Sequence, residues 1–146
     1  MYKRQSKSVP NPAPKQIPEF SGILTGKTIL VVEDEESNYF LLERILKRTA
    51  ANVLWAKNGI DAIEMAGKGN IDLVLMDVRM PVMDGYEATG EIRKFNKTIP
   101  IIAQTAYALK GEKERSKAAG CDGYISKPID PKEFLETIIR FIKPEK

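Results

Sequence analysis

The sequence contains no histidine and only one cysteine, Cys121. Without histidine the chain cannot build a Ser-His-Asp site, a zinc site that uses histidine, or an internal phosphohistidine relay. A lone cysteine cannot close an internal disulfide, so a reducing compartment is the simpler interpretation. We therefore interpret Cys121 as a small buried residue.

Long apolar runs are also missing. The run ILVV at 29–32 is far shorter than the roughly 20 residues that a helix needs to cross a bilayer. The N-terminus has no apolar stretch like that of a signal peptide. We expect a soluble, cytoplasmic domain that makes no membrane contact.

Excess charge is confined to the N-terminus. The net charge of +3 comes from Lys3, Arg4, Lys7 and Lys15 against Glu19, which leaves 19 of the 23 basic and 19 of the 20 acidic residues. A short basic segment of this kind is more often a solvated linker than a phosphate-binding arm. The rest of the chain is neutral, and we expect no nucleic-acid partner.

The length of 146 residues suits one domain. Four prolines and no periodic apolar pattern occur in the first 20 residues, which predicts a flexible linker over 1–25. The folded domain is expected over 26–143, with a short tail at 144–146.

Short apolar strands alternate with segments of helical periodicity. Strands are predicted over 27–33, 52–56, 71–76, 99–104 and 123–126, and helices over about 37–48, 60–66, 88–95 and 110–119, with a last helix from Pro131. Strands that are apolar along their whole length indicate a parallel sheet covered on both faces. The predicted class is a doubly wound α/β fold, whose ligands bind beyond the carboxyl ends of the strands.

Polar residues of matching chemistry follow four of these strands. Glu33 and Asp34 end the first strand, Asp77 the third, Thr105 the fourth and Lys127 the fifth. Three converging carboxylates repel one another, so a divalent cation is the natural remedy. A site with only a few hard oxygen ligands from the protein favours Mg²⁺, and Mn²⁺ is the alternative.

Such a cation would recruit a phosphoryl group. Asp77 would then be the carboxylate nucleophile, Lys127 a point charge and Thr105 a hydroxyl donor. Each residue alone has a commoner structural explanation, such as a helix cap, a turn or a solvated lysine. Their joint placement at the ends of four strands favours the functional interpretation.

Four motifs in order resemble the receiver domain of two-component response regulators: ILVVEDEESN, LVLMDVRMPVMDGYEA, PIIAQTA and GYISKPI, covering about 27–142. The resemblance implies a flavodoxin-like five-stranded sheet of order 2-1-3-4-5 and phosphorylation of Asp77. It also implies that Mg²⁺ is held by Glu33, Asp34, Asp77 and the backbone carbonyl of Arg79.

The same resemblance assigns further roles. Thr105 and Tyr124 are implied to be the switch pair, and Lys127 to contact the phosphoryl group and precede a cis peptide bond to proline. Glu33 stands where aspartate is frequent in the family, which puts its geometry in question. Arg79 and Tyr107, two residues past Asp77 and Thr105, are expected to project over the site and slow hydrolysis of the acyl phosphate.

The segments MDGYEATGEIRK, QTAYA and SKPID are more similar to receivers of hybrid sensor histidine kinases than to receivers fused to DNA-binding modules. In that setting the phosphoryl group arrives from the kinase's phosphohistidine domain and leaves to a histidine phosphotransfer protein, and the parent kinase can carry a membrane anchor. Both partners are expected to dock over the first helix, near Asn38 and Tyr39. The fourth helix, poor in large apolar residues, is expected to be loosely held and movable.

Other interpretations stay open. The chain could be a stand-alone single-domain response regulator, or a pseudo-receiver that binds partners without phosphorylation. A flavin or nucleotide binder is disfavoured because the loop EDEESN is acidic and lacks glycine. As an enzyme, the domain would catalyse only its own phosphorylation and dephosphorylation.

Overall fold

A computed structural model of the protein describes residues 18–106 and 111–142. A 3₁₀ helix at Pro18–Phe20 comes first, and strands and helices then alternate. The strands are β1 Thr28–Val32, β2 Asn52–Ala56, β3 Leu73–Asp77, β4 Ile101–Thr105 and β5 Gly123–Ser126. The helices are α1 Glu36–Lys47, α2 Gly59–Gly67, α3 Gly85–Arg93, α4 Glu112–Ala119 and α5 Pro131–Ile142.

The strands form one parallel sheet of order β2-β1-β3-β4-β5. Alternate side chains of the central strands β1, β3 and β4 enter one of two apolar cores, one packed beneath α1 and α5 and the other beneath α2 and α3. Every residue of β3 and β4 is buried, because helices cover both faces of the central strands. The predicted doubly wound class and strand order are confirmed.

The folded unit begins earlier than expected. The sequence predicts a flexible linker up to residue 25, yet Phe20 and Leu24 are buried in the core beneath α1 and α5. The backbone N–H of Leu24 donates to the carbonyl of Thr49 at 2.9 Å, which fixes this segment beside the end of α1. Two isolated apolar residues show no period, so only tertiary contact reveals that they pack; the residues before Pro18 lie outside the described range.

Local signals set several helix starts. The Asn58 side chain accepts from the N–H of Asp61 at the start of α2. Asp84 and Glu87 form a reciprocal capping box at the start of α3. Pro131 is the first residue of α5, as predicted. No helix among the described residues is long and apolar enough to cross a membrane.

Candidate functional site

Three carboxylates meet at the carboxyl ends of β1 and β3. Glu33 follows β1 directly, Asp34 is next in the chain, and Asp77 is the last residue of β3. Glu33 and Asp77 are buried whereas Asp34 is exposed. One oxygen from each of the three lies within 4.8 Å of the others. The neighbouring strands β1 and β3 therefore bring together the three carboxylates predicted to form the acidic cluster.

Lys127 supplies the positive charge of this site. Its Nζ lies 3.2 Å from Asp77 Oδ1 and 3.7 Å from Glu33 Oε1. The first distance is a hydrogen bond, whereas Glu33 Oε1 accepts no hydrogen bond from the described residues. One ammonium thus serves two buried carboxylates and pairs closely with only one of them.

Burial shifts the ionisation of the two inner carboxyl groups. Burial and the nearby charge of Asp77 raise the pKa of Glu33 to about 7, although Lys127 opposes the shift. Burial also raises the pKa of Asp77, again against the effect of Lys127. When both are ionised, they carry two negative charges against the single positive charge of Lys127.

A divalent cation fits this arrangement. The donor set is made of hard carboxylate oxygens, and one of them, Glu33 Oε1, is buried without a hydrogen-bond partner. The exposed Asp34 leaves the cluster open to solvent, which suits an ion that keeps several of its waters. When bound, such an ion would supply positive charge to phosphoryl oxygens.

The loop between β3 and α3 is tightly constrained. The N–H of Gly85 donates to the carbonyl of Val78 at 2.9 Å, which brings the first turn of α3 back onto the end of β3. A Cβ atom at Gly85 would stand 2.2 Å from the carbonyl oxygen of Asp77, so only glycine fits. Val82, at the loop's exposed tip, has a φ of 71°, which is unfavourable for a β-branched residue.

The remaining predicted site residues take several positions. Arg79 lines a cavity of about 190 Å³ together with the three carboxylates and Lys127. Thr105 is buried at the end of β4, and Tyr124 pairs with Ala103 in the β4–β5 register, so Thr105 and Tyr124 share one face of the sheet. The Lys127–Pro128 peptide is cis. Tyr107 lies outside the described residues.

Helix α4 is anchored at its first residue. Its buried residues are the polar Glu112 and Ser116, as expected from its lack of large apolar side chains. The Tyr86 hydroxyl at the start of α3 donates a hydrogen bond to Glu112 Oε2. Arg115 lies 3.8 Å from Glu112 Oε1 and stacks over the Tyr86 ring. The first turn of α4 is therefore held by polar contacts rather than by apolar packing.

The exposed face of α1 differs from the expected one. Tyr39 is buried and stacks on Trp55 with ring centroids 4.0 Å apart, so it offers no docking surface. The Asn38 side chain donates to Glu33 Oε2 at 3.4 Å. The exposed apolar residues of α1 are instead Phe40 and Leu41. The helical period cannot tell which of two adjacent aromatic residues the core accepts.

Two contacts of the site were not predicted. The indole N–H of Trp55 donates to the backbone carbonyl of Glu33 at 2.8 Å and supports the acidic loop from β2. Gln104 lies directly opposite Asp77 in the β3–β4 register and is fully buried. A glutamine directly after the apolar run IIA of β4 is the signal that could have identified Gln104.

The carboxylates and the lysine lie at the point where the strand order of the doubly wound sheet reverses. This arrangement defines a class of α/β proteins that act at the carboxyl ends of their strands. The sequence profile described as "Response regulator receiver domain" matches residues 29–139. The chain belongs to this family, the receiver domains of two-component systems, and the resemblance noted from its motifs is confirmed.

Two similar proteins are a response regulator and the receiver domain of a sensor histidine kinase. The polar-differentiation response regulator DivK of Brucella anthropi is 36% identical over 118 residues, 80% of this chain and 96% of DivK. The receiver domain of the sensor histidine kinase PA1611 from Pseudomonas aeruginosa, solved with magnesium in its active-site cleft, is 39% identical with a TM-score of 0.75 and covers 81% of this chain and 98% of that one.

A third structure shows a receiver with a partner. It is the co-crystal structure of the Saccharomyces cerevisiae histidine phosphotransfer protein Ypd1 with the receiver domain of the response regulator Ssk1. The match is 27% identical with a TM-score of 0.77 and covers 82% of this chain and 91% of the matched one.

Proposed function

We propose that Asp77 accepts a phosphoryl group from phosphohistidine. The observation that carries the proposal is the contact of 3.2 Å between Lys127 Nζ and Asp77 Oδ1 at the mouth of an acidic cluster. An Asp77 oxygen would attack phosphorus, the phosphorus–nitrogen bond of the phosphohistidine would break, and the imidazole would leave. Lys127 would then turn from the carboxylate to the new phosphoryl oxygens.

We further propose that Glu33, Asp34, Asp77 and the Arg79 carbonyl hold Mg²⁺ during this transfer. The orphan oxygen of Glu33 supports this assignment, and so does the magnesium in the cleft of the PA1611 receiver. Mn²⁺ would suit the same oxygen ligands. Thr105 would donate its hydroxyl to the phosphoryl group and, with Tyr124, act as the switch pair.

The direct test is the intact mass of the protein after incubation with Mg²⁺ and acetyl phosphate. We expect one phosphoryl adduct that requires the metal and that Asp77→Asn abolishes, since the amide is a poor nucleophile. Asp72→Asn is the matched control, because Asp72 accepts from the N–H of Thr28 at the opposite end of the sheet. This control should retain the full adduct.

Failure would take a definite form. If the wild-type protein forms no adduct with acetyl phosphate or with a phosphohistidine donor, Asp77 is not a phosphoacceptor. The chain would then act as a pseudo-receiver through binding alone. An adduct that persists in Asp77→Asn would place the modification elsewhere.

We propose a kinase phosphohistidine domain as the donor and a histidine phosphotransfer protein as the acceptor. Phe40 and Leu41 form an exposed apolar patch on α1, and Leu41 also borders a cavity that includes Lys127. The co-crystallised Ssk1 receiver supports this type of partner. Both a hybrid-kinase origin and a stand-alone regulator stay predictions, since each is represented among the similar proteins.

Arg79 is proposed to shield the acyl phosphate from water, because it borders the cavity of the acidic cluster. The same role stays a prediction for Tyr107. In the switch, α4 would be the movable element, since few apolar contacts hold it.

We expect Tyr86→Phe to loosen the first turn of α4. The change deletes the hydroxyl that donates to Glu112 and leaves this buried carboxylate with Arg115 as a more distant partner. Amide hydrogen exchange in α4 should rise about tenfold, corresponding to roughly 1.4 kcal/mol for a charge-assisted hydrogen bond.

The control for this change is Tyr39→Phe. It removes a longer hydrogen bond to Glu43, of 3.4 Å, within α1 and keeps the ring stacked on Trp55. Exchange in α4 should not respond to it. Unchanged α4 protection in Tyr86→Phe would show that the hydroxyl does not anchor the helix.

A further inference from the structure

The acidic loop after β1 is anchored to β2 through the two peptide groups that flank Glu33. The N–H of Glu33 donates to the carbonyl of Ala56 at 3.0 Å. The carbonyl of Glu33 accepts from the indole N–H of Trp55 at 2.8 Å. The first bond extends the backbone pairing of β1 with β2, whereas the second is supplied by a side chain.

The indole bond affects two of the three carboxylates. The Glu33 carbonyl belongs to the peptide group that joins Glu33 to Asp34, so the indole fixes the plane from which both side chains leave the backbone. Within the loop, Glu33 Oε2 accepts from the N–H of Glu35 at 3.3 Å and from the Asn38 amide at 3.4 Å. These two bonds are long, whereas the indole bond has the ordinary length of a strong one.

The indole ring is itself held in place. It stacks on the buried Tyr39 ring with centroids 4.0 Å apart and planes 2° from parallel. The Phe40 ring meets it edge-on at 5.6 Å, and Lys57 Nζ lies 4.8 Å from its centroid. These neighbours restrict rotation of the ring, so its N–H stays directed at the Glu33 carbonyl.

We propose that Trp55 is a positioning residue of the metal site, whose indole N–H orients the Glu33–Asp34 peptide and thereby sets the affinity for Mg²⁺. The proposal rests on the proposed function, in which Glu33 and Asp34 are ligands of the metal. Mg²⁺ demands a near-ideal octahedral geometry, so its binding is sensitive to misplaced ligands. Trp55 does not line the cavity of the carboxylates and therefore acts through the loop.

The test removes the indole N–H and keeps the shape of the ring. The isostere 3-benzothienylalanine, with sulfur in place of the N–H, is incorporated at the position of Trp55 by nonsense suppression. Trp55→Phe is the genetic counterpart, which keeps an aromatic ring and loses the donor. Titration calorimetry should show Mg²⁺ binding about tenfold weaker in both proteins than in the wild type, because groups that orient metal ligands typically affect affinity by this much or more.

Phe141→Leu is the control for lost aromatic packing. Phe141 packs against the same core as Trp55, but it contacts Gly123 at the start of β5 and so lies at the opposite edge of the sheet from Glu33. The change should lower the free energy of unfolding and leave the affinity for Mg²⁺ as it is. If it weakens Mg²⁺ binding as much as Trp55→Phe does, lost packing explains the effect and the proposal is wrong.

The indole signal is a second readout, independent of phosphorylation. A single tryptophan gives a single indole N–H signal in the ¹H–¹⁵N spectrum. We expect Mg²⁺ to shift this signal with the dissociation constant found by calorimetry, because the carbonyl that accepts the hydrogen bond joins two metal ligands. A signal that keeps its position while Mg²⁺ binds would overturn the proposal.

The outcomes distinguish this proposal from the proposed function. If the wild-type protein binds no Mg²⁺, the metal site fails, and Trp55 has no ligands to position. If the wild type binds Mg²⁺ and the benzothienylalanine protein binds it equally well, the metal site stands and only the role of Trp55 is refuted. Because the isostere keeps the size and stacking of the indole, this comparison does not depend on the folding of Trp55→Phe.

Discussion

Replacing Gly85 with alanine is expected to destabilise the protein by about 3 kcal/mol or more and to remove phosphoryl acceptance. A Cβ atom at this position would lie 2.2 Å from the carbonyl oxygen of Asp77 and 2.9 Å from Met76 Cγ. The first of these neighbours is backbone and cannot rotate away. The new methyl group must therefore displace the end of β3, which carries Asp77.

The surrounding contacts limit the relaxation available to Gly85. Its N–H is bonded to the carbonyl of Val78, and the capping box of Asp84 and Glu87 fixes the start of α3. Moving the helix would break these hydrogen bonds, and moving the strand would shift the acidic cluster. Both routes reduce stability, and the second also disturbs the geometry at Asp77.

Gly90→Ala provides the control within the same helix. A Cβ atom at Gly90 meets nothing within 4 Å, so alanine should stabilise α3 by about 0.5 to 1 kcal/mol. Urea unfolding measures both variants, and the acetyl phosphate assay measures their acceptance. If Gly85→Ala is as stable to urea as the wild type and accepts phosphate equally well, the absence of a side chain at this loop is not required.

The second large effect is a pH dependence of the stability against unfolding, which Mg²⁺ should reverse. In the metal-free protein the pKa of Glu33 is raised from 4.5 to about 7, chiefly by burial, and that of Asp77 is also raised. The folded state therefore binds protons more tightly than the unfolded chain does. The stability that this protonation provides is fully present below pH 4.5 and is lost as the pH rises through about 7.

Metal binding should have the opposite dependence, because Mg²⁺ competes with the proton for the same oxygens. We expect the free energy of unfolding in EDTA, measured by thermal denaturation, to fall between about pH 5 and 8 by an amount on the order of 1 to 3 kcal/mol. In saturating Mg²⁺ the stability should hold or rise over this range. Fluorescence of Trp55, the only tryptophan, should report the ion, since its indole bonds to the Glu33 carbonyl.

The variant Glu33→Gln tests whether Glu33, rather than the other acidic residues, causes the pH dependence of stability. The variant should lose most of the pH dependence in EDTA, whereas Glu64→Gln, at an exposed position of α2, should keep it. If Glu33→Gln retains the full wild-type dependence, another group carries the effect. If Mg²⁺ adds no stability at pH 8, the cluster does not bind the metal.

The apolar pattern of the sequence and the residues at the ends of its strands and helices were enough to predict the architecture. Five continuously apolar segments, each bounded by turn or cap residues, indicated a parallel sheet, and Asp77, Thr105 and Lys127 could be placed at its carboxyl edge because strand direction alone fixes that edge. The acidic cluster was predictable for the same reason. Asn58, Asp84 and Pro131 are local signals for helix starts, and they needed no tertiary information.

Tertiary structure decided what depends on contact between distant segments. Packing buried Phe20 and Leu24 although they belong to a segment without period, and it selected Tyr39 rather than Phe40 for the core. The pairing of Tyr86 with Glu112 spans the sequence between α3 and α4, so neither helix predicts it alone. Register placed Gln104 opposite Asp77 and buried its side chain. Sequence fixes which residues can reach the edge of a sheet, whereas the partner that each side chain meets depends on how the layers pack.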